Sequence, residues 1–116
     1  MQNIQIWHNP RCSKSRNALR LLEEKKIDAQ VIKYMDESLS KEQLQEVLTL
    51  LEMKAQELMR IDEDIYKQLK LKDVNDENIL INAMIENPKL IQRPIIIKGD
   101  KAVIARPIEN LEELLK

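Results

Sequence analysis

The sequence predicts an α/β fold in which a βαβ unit and a ββα unit are separated by a helical segment. Three observations predict it: a short strand pattern at the N-terminus leads directly into a helix pattern, helix signals fill the middle of the chain, and a hairpin pattern stands near the C-terminus. The 116 residues suffice for one hydrophobic core and are too few for two. We therefore predict one domain, residues 1–116, with one functional site.

The first three elements form the predicted βαβ unit. Isoleucines alternate with other residues over residues 4–7, which indicates a strand, and Asn9-Pro10 ends it. Helix-forming residues follow from Ser13, and their apolar side chains share one face until Lys25-Lys26. Residues 31–34 are predicted as a second strand. Two strands joined by a helix within about 30 residues form a parallel unit with a right-handed crossover.

Helices fill the predicted insertion, at about residues 38–90. A capping box at residues 40–43 starts the first helix. A later helix begins near Asp76 and ends at Asn87-Pro88. Its predicted apolar residues are Ile79, Leu80, Ala83 and Met84. Residues 55–72, between the two, are expected to form short helices and turns.

A hairpin and a last helix complete the predicted order. Residues 95–97 and 102–105 are predicted as antiparallel strands joined by a turn at Gly99-Asp100. Counting outward from a two-residue turn pairs Arg93 with Arg106. Leucines at positions 111, 114 and 115 predict a helix that covers the sheet. The order βαβ, helical insertion, ββα is the one used by thioredoxin-like folds, and we predict that fold.

Charge and composition exclude several classes of partner. Charged residues make up 34% of the chain but nearly cancel, and the formal net charge is −1, so nothing draws the chain to nucleic acid or to an anionic membrane. The N-terminus lacks the pattern of a signal peptide, and no apolar stretch reaches 18 residues. We expect a cytoplasmic monomer that binds neither nucleic acid nor membrane.

Cys12 is the only cysteine, and it stands where the first strand turns into the first helix. One cysteine and one histidine are too few for a structural zinc site, so no metal is predicted. Helix N-terminal N–H groups and the flanking Arg11, Lys14 and Arg16 favour a thiolate, and a cysteine so placed can have its pKa lowered from about 8.5 to about 3.5–7.5. We predict a redox-active nucleophile; the alternative is a buried packing residue.

The spacing around Cys12 limits its chemistry. Cys12 to Ser15 is C-x-x-S, which lacks a resolving thiol, so an outside thiol such as glutathione or a small redox protein must restore an oxidised Cys12. Arg16 gives C-x₃-R rather than the C-x₅-R phosphate loop, which disfavours a phosphatase. His8 could bias Cys12 toward the thiolate or hydrogen-bond the loop. Ser15 could donate a hydrogen bond to the thiolate or serve only as a first-turn helix residue.

Three arginines are candidate anion ligands. Like charges opposed across two strands are destabilising, so a facing Arg93 and Arg106 make sense if an anion or carboxylate lies between or beside them. The alternative is that both extend into solvent. Arg60, by pattern alone, is a solvated charge at a helix end. Pro94 follows one of these arginines, and the sequence does not decide whether the bond before it is cis.

Four ordered motifs resemble the glutaredoxin-dependent arsenate reductase family: HNPRCSKSRNAL, LMR at 58–60, RPIII at 93–97 and ARP at 105–107. The resemblance implies a thioredoxin-like fold with a helical insertion and no bound cofactor. It implies that the Cys12 thiolate attacks arsenate, that glutathione is a co-substrate and that glutaredoxin completes the reduction. The residues it implicates are Cys12 as nucleophile, Arg60, Arg93 and Arg106 as oxyanion ligands, and His8 and Ser15 as groups that tune the thiolate.

Two further readings stay open. The chain resembles a short housekeeping branch that lacks the longer C-terminal tail of the resistance enzymes, so its substrate could instead be a mixed disulfide of glutathione with a protein. The same fold serves Spx-like regulators that bind RNA polymerase. Those regulators usually carry C-x-x-C, and Ser15 replaces the second cysteine here, which counts against that reading.

Overall fold

A computed structural model describes residues 3–37 and 39–116. The chain divides into two compact units, one formed by Met1–Glu37 with Arg93–Lys116 and the other by Ser38–Gln92. The second unit has nearly the bounds of the predicted insertion at about 38–90. Its first residue, Ser38, lies outside the described residues, as do Met1 and Gln2 of the predicted domain. That residues 1–116 form a single domain stays a prediction.

The first unit is built on a four-stranded sheet. Its strands are β1 (Ile4–Trp7), β2 (Gln30–Ile32), β3 (Ile95–Lys98) and β4 (Lys101–Ile104). The strand order is β2-β1-β3-β4, in which β1 pairs parallel with β2 and antiparallel with β3, and β3 pairs antiparallel with β4. This is the predicted thioredoxin-like arrangement, a parallel βαβ unit joined to an antiparallel hairpin.

The hairpin has the register that the two-residue turn predicts. Lys98 faces Lys101, and Ile95 faces Ile104. Gly99 has a φ of 57°, in the left-handed region that glycine enters without steric cost. The Ala105 N–H donates to the Pro94 carbonyl at 2.9 Å, so pairing continues past the strand ends toward the two arginines. The peptide bonds Arg93-Pro94 and Arg106-Pro107 are both cis.

Two helices, α1 (Ser13–Glu24) and α6 (Glu109–Leu115), pack with the sheet in the core of the first unit. Ile6 and Ile96 face each other on adjacent strands, so they present their side chains to the same face. The buried core cluster consists of Ile6, Ala18, Leu22, Ile96, Ala105, Leu111 and Leu114. Because α1 is fixed to the sheet through Ala18 and Leu22, its N-terminus at Cys12 has a defined position.

The second unit is helical. It contains α2 (Lys41–Leu51), α3 (Ala55–Leu58), α4 (Asp64–Gln68), a 3-10 turn (Leu71–Asp73), α5 (Glu77–Glu86) and a second 3-10 turn (Pro88–Leu90). The predicted capping box is confirmed, because the Gln43 N–H donates to Ser40 Oγ at 3.0 Å and the Ser40 N–H donates to Gln43 Oε1 at 2.8 Å. The short helices predicted within 55–72 are confirmed as well.

Two sequence predictions about elements were wrong in detail. Strand β2 covers Gln30–Ile32 rather than 31–34, because β1 ends at Trp7, opposite Ile32, and leaves the later residues without a strand partner. Ile79 is 53% exposed, whereas Ile81 is buried in its place on α5. Within residues 3–37 and 39–116, no helix is long and apolar enough to span a membrane.

Truncating Leu22 tests the attachment of α1. The side chain is fully buried in the core cluster, so Leu22→Ala should lower the free energy of unfolding by about 2–5 kcal/mol, measured by urea denaturation. The matched control is Leu69→Ala, at a side chain that is 45% exposed, which should cost less than about 1 kcal/mol. Equal losses in the two variants would contradict this account of the core.

Candidate active site

Cys12 is the N-cap residue of α1, with an extended backbone at φ −98° and ψ 122°. The first helical residue is Ser13, so the predicted position of the sulfur at the start of the helix is confirmed. The side chain is half-buried and not in a disulfide. A free cysteine at this position lies where the unpaired N–H groups of a helix end favour negative charge.

A small hydrogen-bond network holds the loop before Cys12. Ser15, which is fully buried, accepts the Asn9 N–H at Oγ at 3.0 Å, and His8 Nδ1 lies 2.7 Å from the same oxygen. The Cys12 N–H donates to the Asn9 carbonyl at 3.0 Å. The loop is therefore tied at both ends, to the end of β1 and to the first turn of α1.

Burial keeps the His8 ring neutral. It is 5% exposed, and burial lowers its pKa, with the positive charges of Lys33 and Arg16 acting in the same direction. With a neutral ring, one hydrogen bond joins Nδ1 and Ser15 Oγ, and the tautomer of the ring decides which of the two atoms donates. Of the two roles left open for His8, the structure thus shows the hydrogen bond to the loop. Its tuning of the thiolate stays a prediction.

Ser15 acts on Cys12 through its backbone. Its hydroxyl is engaged with His8 and Asn9, whereas its N–H is one of the groups that lower the pKa of Cys12. From the sequence, the Ser15 hydroxyl is a possible hydrogen-bond donor to the thiolate. In the structure the Ser15 N–H, at the start of the helix, has this effect instead. Among the described residues, the Cys12 side chain makes no capping hydrogen bond, so the effect of the Ser15 N–H on the thiol is electrostatic.

Arg106 connects the hairpin to the sulfur. Its Nε donates to the Arg93 carbonyl at 2.6 Å, and its Nη2 donates to Cys12 Sγ at 3.7 Å. The facing pair predicted from the turn thus lies at the helix start that carries the nucleophile. The sequence reasoning could place the two arginines opposite each other, and the structure adds that Cys12 lies beside them.

Arg93 has an unusual environment for a guanidinium group. Its Nε and Nη1 are buried and have no hydrogen-bond partner among residues 3–37 and 39–116. Burial would lower its pKa, but the side chains of Cys12 and Tyr34 raise it, so the group is positively charged. A buried donor without a partner is costly, which makes these two nitrogens the natural place for an anionic ligand.

These surroundings set the ionisation of Cys12. Burial alone would raise the pKa of the thiol, but the Ser15 N–H, the Arg93 side chain and the Lys14 N–H lower it from an ordinary 9.0 to about 7. About half of the thiol is therefore ionised at neutral pH. A thiolate of this kind is a nucleophile at physiological pH.

Arg60 belongs to the second unit, between α3 and α4. Its N–H donates to the Leu90 carbonyl at 2.7 Å, next to a β-bridge between Met59 and Ile91. Its Nη1 lies 3.1 Å from Glu63 Oε1, an ion pair whose geometry is not that of a hydrogen bond. Its predicted role as an oxyanion ligand stays a prediction that rests on the LMR motif.

The sequence reasoning missed Tyr34. This residue is fully buried in a turn after β2, stacks on Trp7 with ring centroids 6.2 Å apart, and contributes to the raised pKa of Arg93. The available signal was composition, because the chain has only one tryptophan, two tyrosines and no phenylalanine. This scarcity singles out an aromatic residue next to a strand end as a candidate for the site.

The sequence model of the ArsC family matches residues 7–114. The chain belongs to the ArsC family. A protein named arsenate reductase from Neisseria meningitidis serogroup A is 44% identical over 117 residues, which cover 99% of this chain and 100% of that protein. The YfgD protein of Escherichia coli K12 is 44% identical over 116 residues, 98% of each chain.

A solved structure supports the same assignment. The structure of an arsenate reductase from Vibrio cholerae superposes with a TM-score of 0.92 at 41% sequence identity, covering 97% of both chains. The thioredoxin-like fold is therefore that of the ArsC family. The structure adds to this family assignment the geometry of Cys12, Arg93 and Arg106 in this chain.

The pH dependence of Cys12 alkylation tests the electrostatics. With a pKa of about 7, the rate of iodoacetamide labelling should rise through a midpoint near pH 7. Arg93→Ala removes a group that lowers the pKa, so the midpoint should move to higher pH and labelling at pH 7 should slow. Mass spectrometry of the labelled Cys12 peptide gives the rates.

The matched control is Arg11→Ala, because Arg11 is exposed and its charge is not among the causes of the Cys12 pKa shift. It should leave the midpoint in place. A wild-type midpoint near the ordinary value of 9.0, or no change in Arg93→Ala, would contradict the assignment.

Proposed function

We propose that this chain reduces arsenate to arsenite at Cys12, with glutathione and glutaredoxin as the external reductants. The observation that carries the proposal is Arg93, whose Nε and Nη1 are buried without a hydrogen-bond partner in the described part of the chain, while the same side chain lowers the pKa of the Cys12 thiol. The Arg93 guanidinium thus acts on the nucleophile and also offers two unpaired N–H donors. Relatives that bear the name arsenate reductase support the choice of oxyanion.

Binding of the oxyanion follows from the donors. Arsenate is tetrahedral and negatively charged at neutral pH, and the planar guanidinium fork suits two of its oxygens at once. Arg93 offers buried N–H groups, and Arg106 brings a second positive charge to within 3.7 Å of the sulfur. The bound anion also relieves the repulsion between the two arginines.

The first chemical step is a substitution without electron transfer. The Cys12 thiolate attacks arsenic, an As–S bond forms, and one As–O bond breaks as that oxygen leaves as water after taking up protons. Arsenic stays As(V). The N–H groups of Ser15 and Lys14 hold the sulfur in its nucleophilic form before the attack, because they favour the thiolate over the thiol.

The reduction needs electrons from outside the chain. Cys12 is the only cysteine, so no second thiol of this chain can form an internal disulfide. Two external thiols supply the two electrons and end as a disulfide, while arsenate becomes arsenite plus water. Glutathione fits the first of these thiols, and glutaredoxin fits the second, which restores the Cys12 thiol.

A second candidate function uses the same donors. The unpaired N–H groups of Arg93 would also donate to a carboxylate, which glutathione carries, so the chain could act on mixed disulfides of glutathione with proteins. Release of glutathione from a glutathionylated peptide in the absence of arsenate would favour this function. Arsenite formation that requires arsenate, glutathione and glutaredoxin together favours the first.

Arsenite production by the purified protein is the direct test. Cys12→Ser should abolish it, and Arg93→Ala should lower kcat/KM for arsenate by on the order of 100-fold, since one preorganised donor to a developing charge contributes about that much. Arg11→Ala should retain wild-type turnover. Normal turnover by Cys12→Ser would refute the proposal, because the mechanism has no other nucleophile.

Arg60→Ala tests the residue that rests on the motif. If Arg60 binds the oxyanion, KM for arsenate should rise about 10-fold with a smaller change in kcat, as expected for lost ground-state binding. Glu63→Gln is the control, because it removes the ion-pair partner and keeps the guanidinium group. It should leave KM unchanged or lower it. An unchanged KM in Arg60→Ala would remove Arg60 from the site.

A further inference from the structure

A groove of about 550 Å³ lies in the first unit, lined by α1 on one side and by the segment from Ala105 to Glu112 on the other. Its volume falls in the range of about 300–1,000 Å³ that is typical of small-molecule sites. Leu21 and Ile108, both half-buried, supply apolar surface within it. Of the residues in the four sequence motifs, those that line it are Lys14 and Asn17, on the helix after Cys12, and Ala105 and Pro107 of the ARP motif.

The groove carries charges of both signs. Lys14, Arg20 and Glu24 stand on α1, while Glu109 and Glu112 stand on α6. All five are exposed, and none of them is in an ion pair within the part of the chain that the structure describes. Unpaired cations and carboxylates in one groove complement a ligand that carries both signs of charge.

One end of the groove is formed by sequence neighbours of Cys12 and Arg106, although neither of these two residues lines it. Lys14 is two residues from Cys12, and its N–H is among the groups that act on the thiol. Ala105 and Pro107, which also line the groove, flank Arg106, whose Nη2 lies 3.7 Å from Cys12 Sγ. The Lys14 end of the groove is therefore the end nearer to the sulfur.

We propose that this groove binds the reducing thiol as a small zwitterionic peptide, with carboxylates at Lys14 and Arg20, an ammonium group at Glu109 and Glu112, and the thiol at the Cys12 end. The proposal rests on the proposed function, because that function requires an external thiol. It goes further in giving the reductant a site of its own, separate from the vacant donors of Arg93. Glutathione has this combination of charges and serves as the probe.

The bound thiol acts on the Cys12–arsenate adduct. Its sulfur attacks Cys12 Sγ, an S–S bond forms, and the S–As bond breaks with its electron pair passing to arsenic. As(V) becomes As(III), which leaves as arsenite, and the proton of the thiol ends on an arsenite oxygen. Cys12 remains as a mixed disulfide, which the thiol of glutaredoxin then cleaves.

Charge removal in the groove tests the site kinetically. Arg20→Ala and Glu112→Gln should each raise KM for glutathione about 3- to 5-fold, and the double variant about 10-fold, while KM for arsenate and the pH midpoint of Cys12 alkylation stay unchanged. The control Glu113→Gln changes the neighbouring carboxylate, which does not line the groove and pairs with Lys116. It should leave both KM values unchanged.

A binding experiment separates this proposal from the proposed function. S-methylglutathione keeps the charges of glutathione and cannot react, so its titration into isotope-labelled wild-type protein should shift amide resonances of α1 and of residues 105–112. The shifts should weaken in the Arg20→Ala, Glu112→Gln double variant. Shifts at the groove in a protein that makes no arsenite would support binding at the groove and refute the proposed function.

The opposite result contradicts only the proposal that the reductant binds in the groove. If arsenite forms but the double variant has a wild-type KM for glutathione, the reductant does not bind there. Shifts confined to residues outside the groove, or turnover that saturates only with glutaredoxin and shows no dependence on glutathione, lead to the same conclusion.

Discussion

Burial and positive charge act against each other on the Cys12 sulfur, and the surrounding structure is arranged so that positive charge prevails. Partial burial raises the pKa of a thiol, since it removes water from the thiolate. Two N–H groups of α1 and the Arg93 side chain more than offset it and bring the pKa to about 7. The core contacts of α1 and the register of the hairpin matter to the site because they bring these groups to one atom.

The hairpin contributes by holding two like charges together. Arg93 precedes β3 and Arg106 follows β4. The hydrogen bond from Arg106 Nε to the Arg93 carbonyl fixes the guanidinium of Arg106 against the backbone of Arg93. Their mutual repulsion is unfavourable without a counter-charge, and a thiolate supplies only part of it. The anion site that we propose is therefore preorganised, because folding brings the two guanidinium groups together before any ligand arrives.

Much of this could be predicted from particular residues. The capping box at Ser40 and Gln43, the turn at Gly99, and the position of Cys12 at a helix start are local features, and local features are encoded by neighbouring residues. The extent of β2 could not be predicted, because it depends on where another strand ends, and only the scarcity of aromatic residues pointed to Tyr34. The backbone route by which Ser15 acts on Cys12 also escaped prediction, since the sequence does not show that its hydroxyl is engaged elsewhere.

The packing of Ser15 has a consequence for redox behaviour. Position 15 is where a dithiol oxidoreductase of this spacing would carry its second sulfur, and here that position is fully buried and fastened to His8 and Asn9. An internal disulfide with position 15 is therefore not available to the protein. Under the proposed function, turnover depends on the supply of external thiols, and depletion of small thiols in the surroundings lowers it without any change in the protein itself.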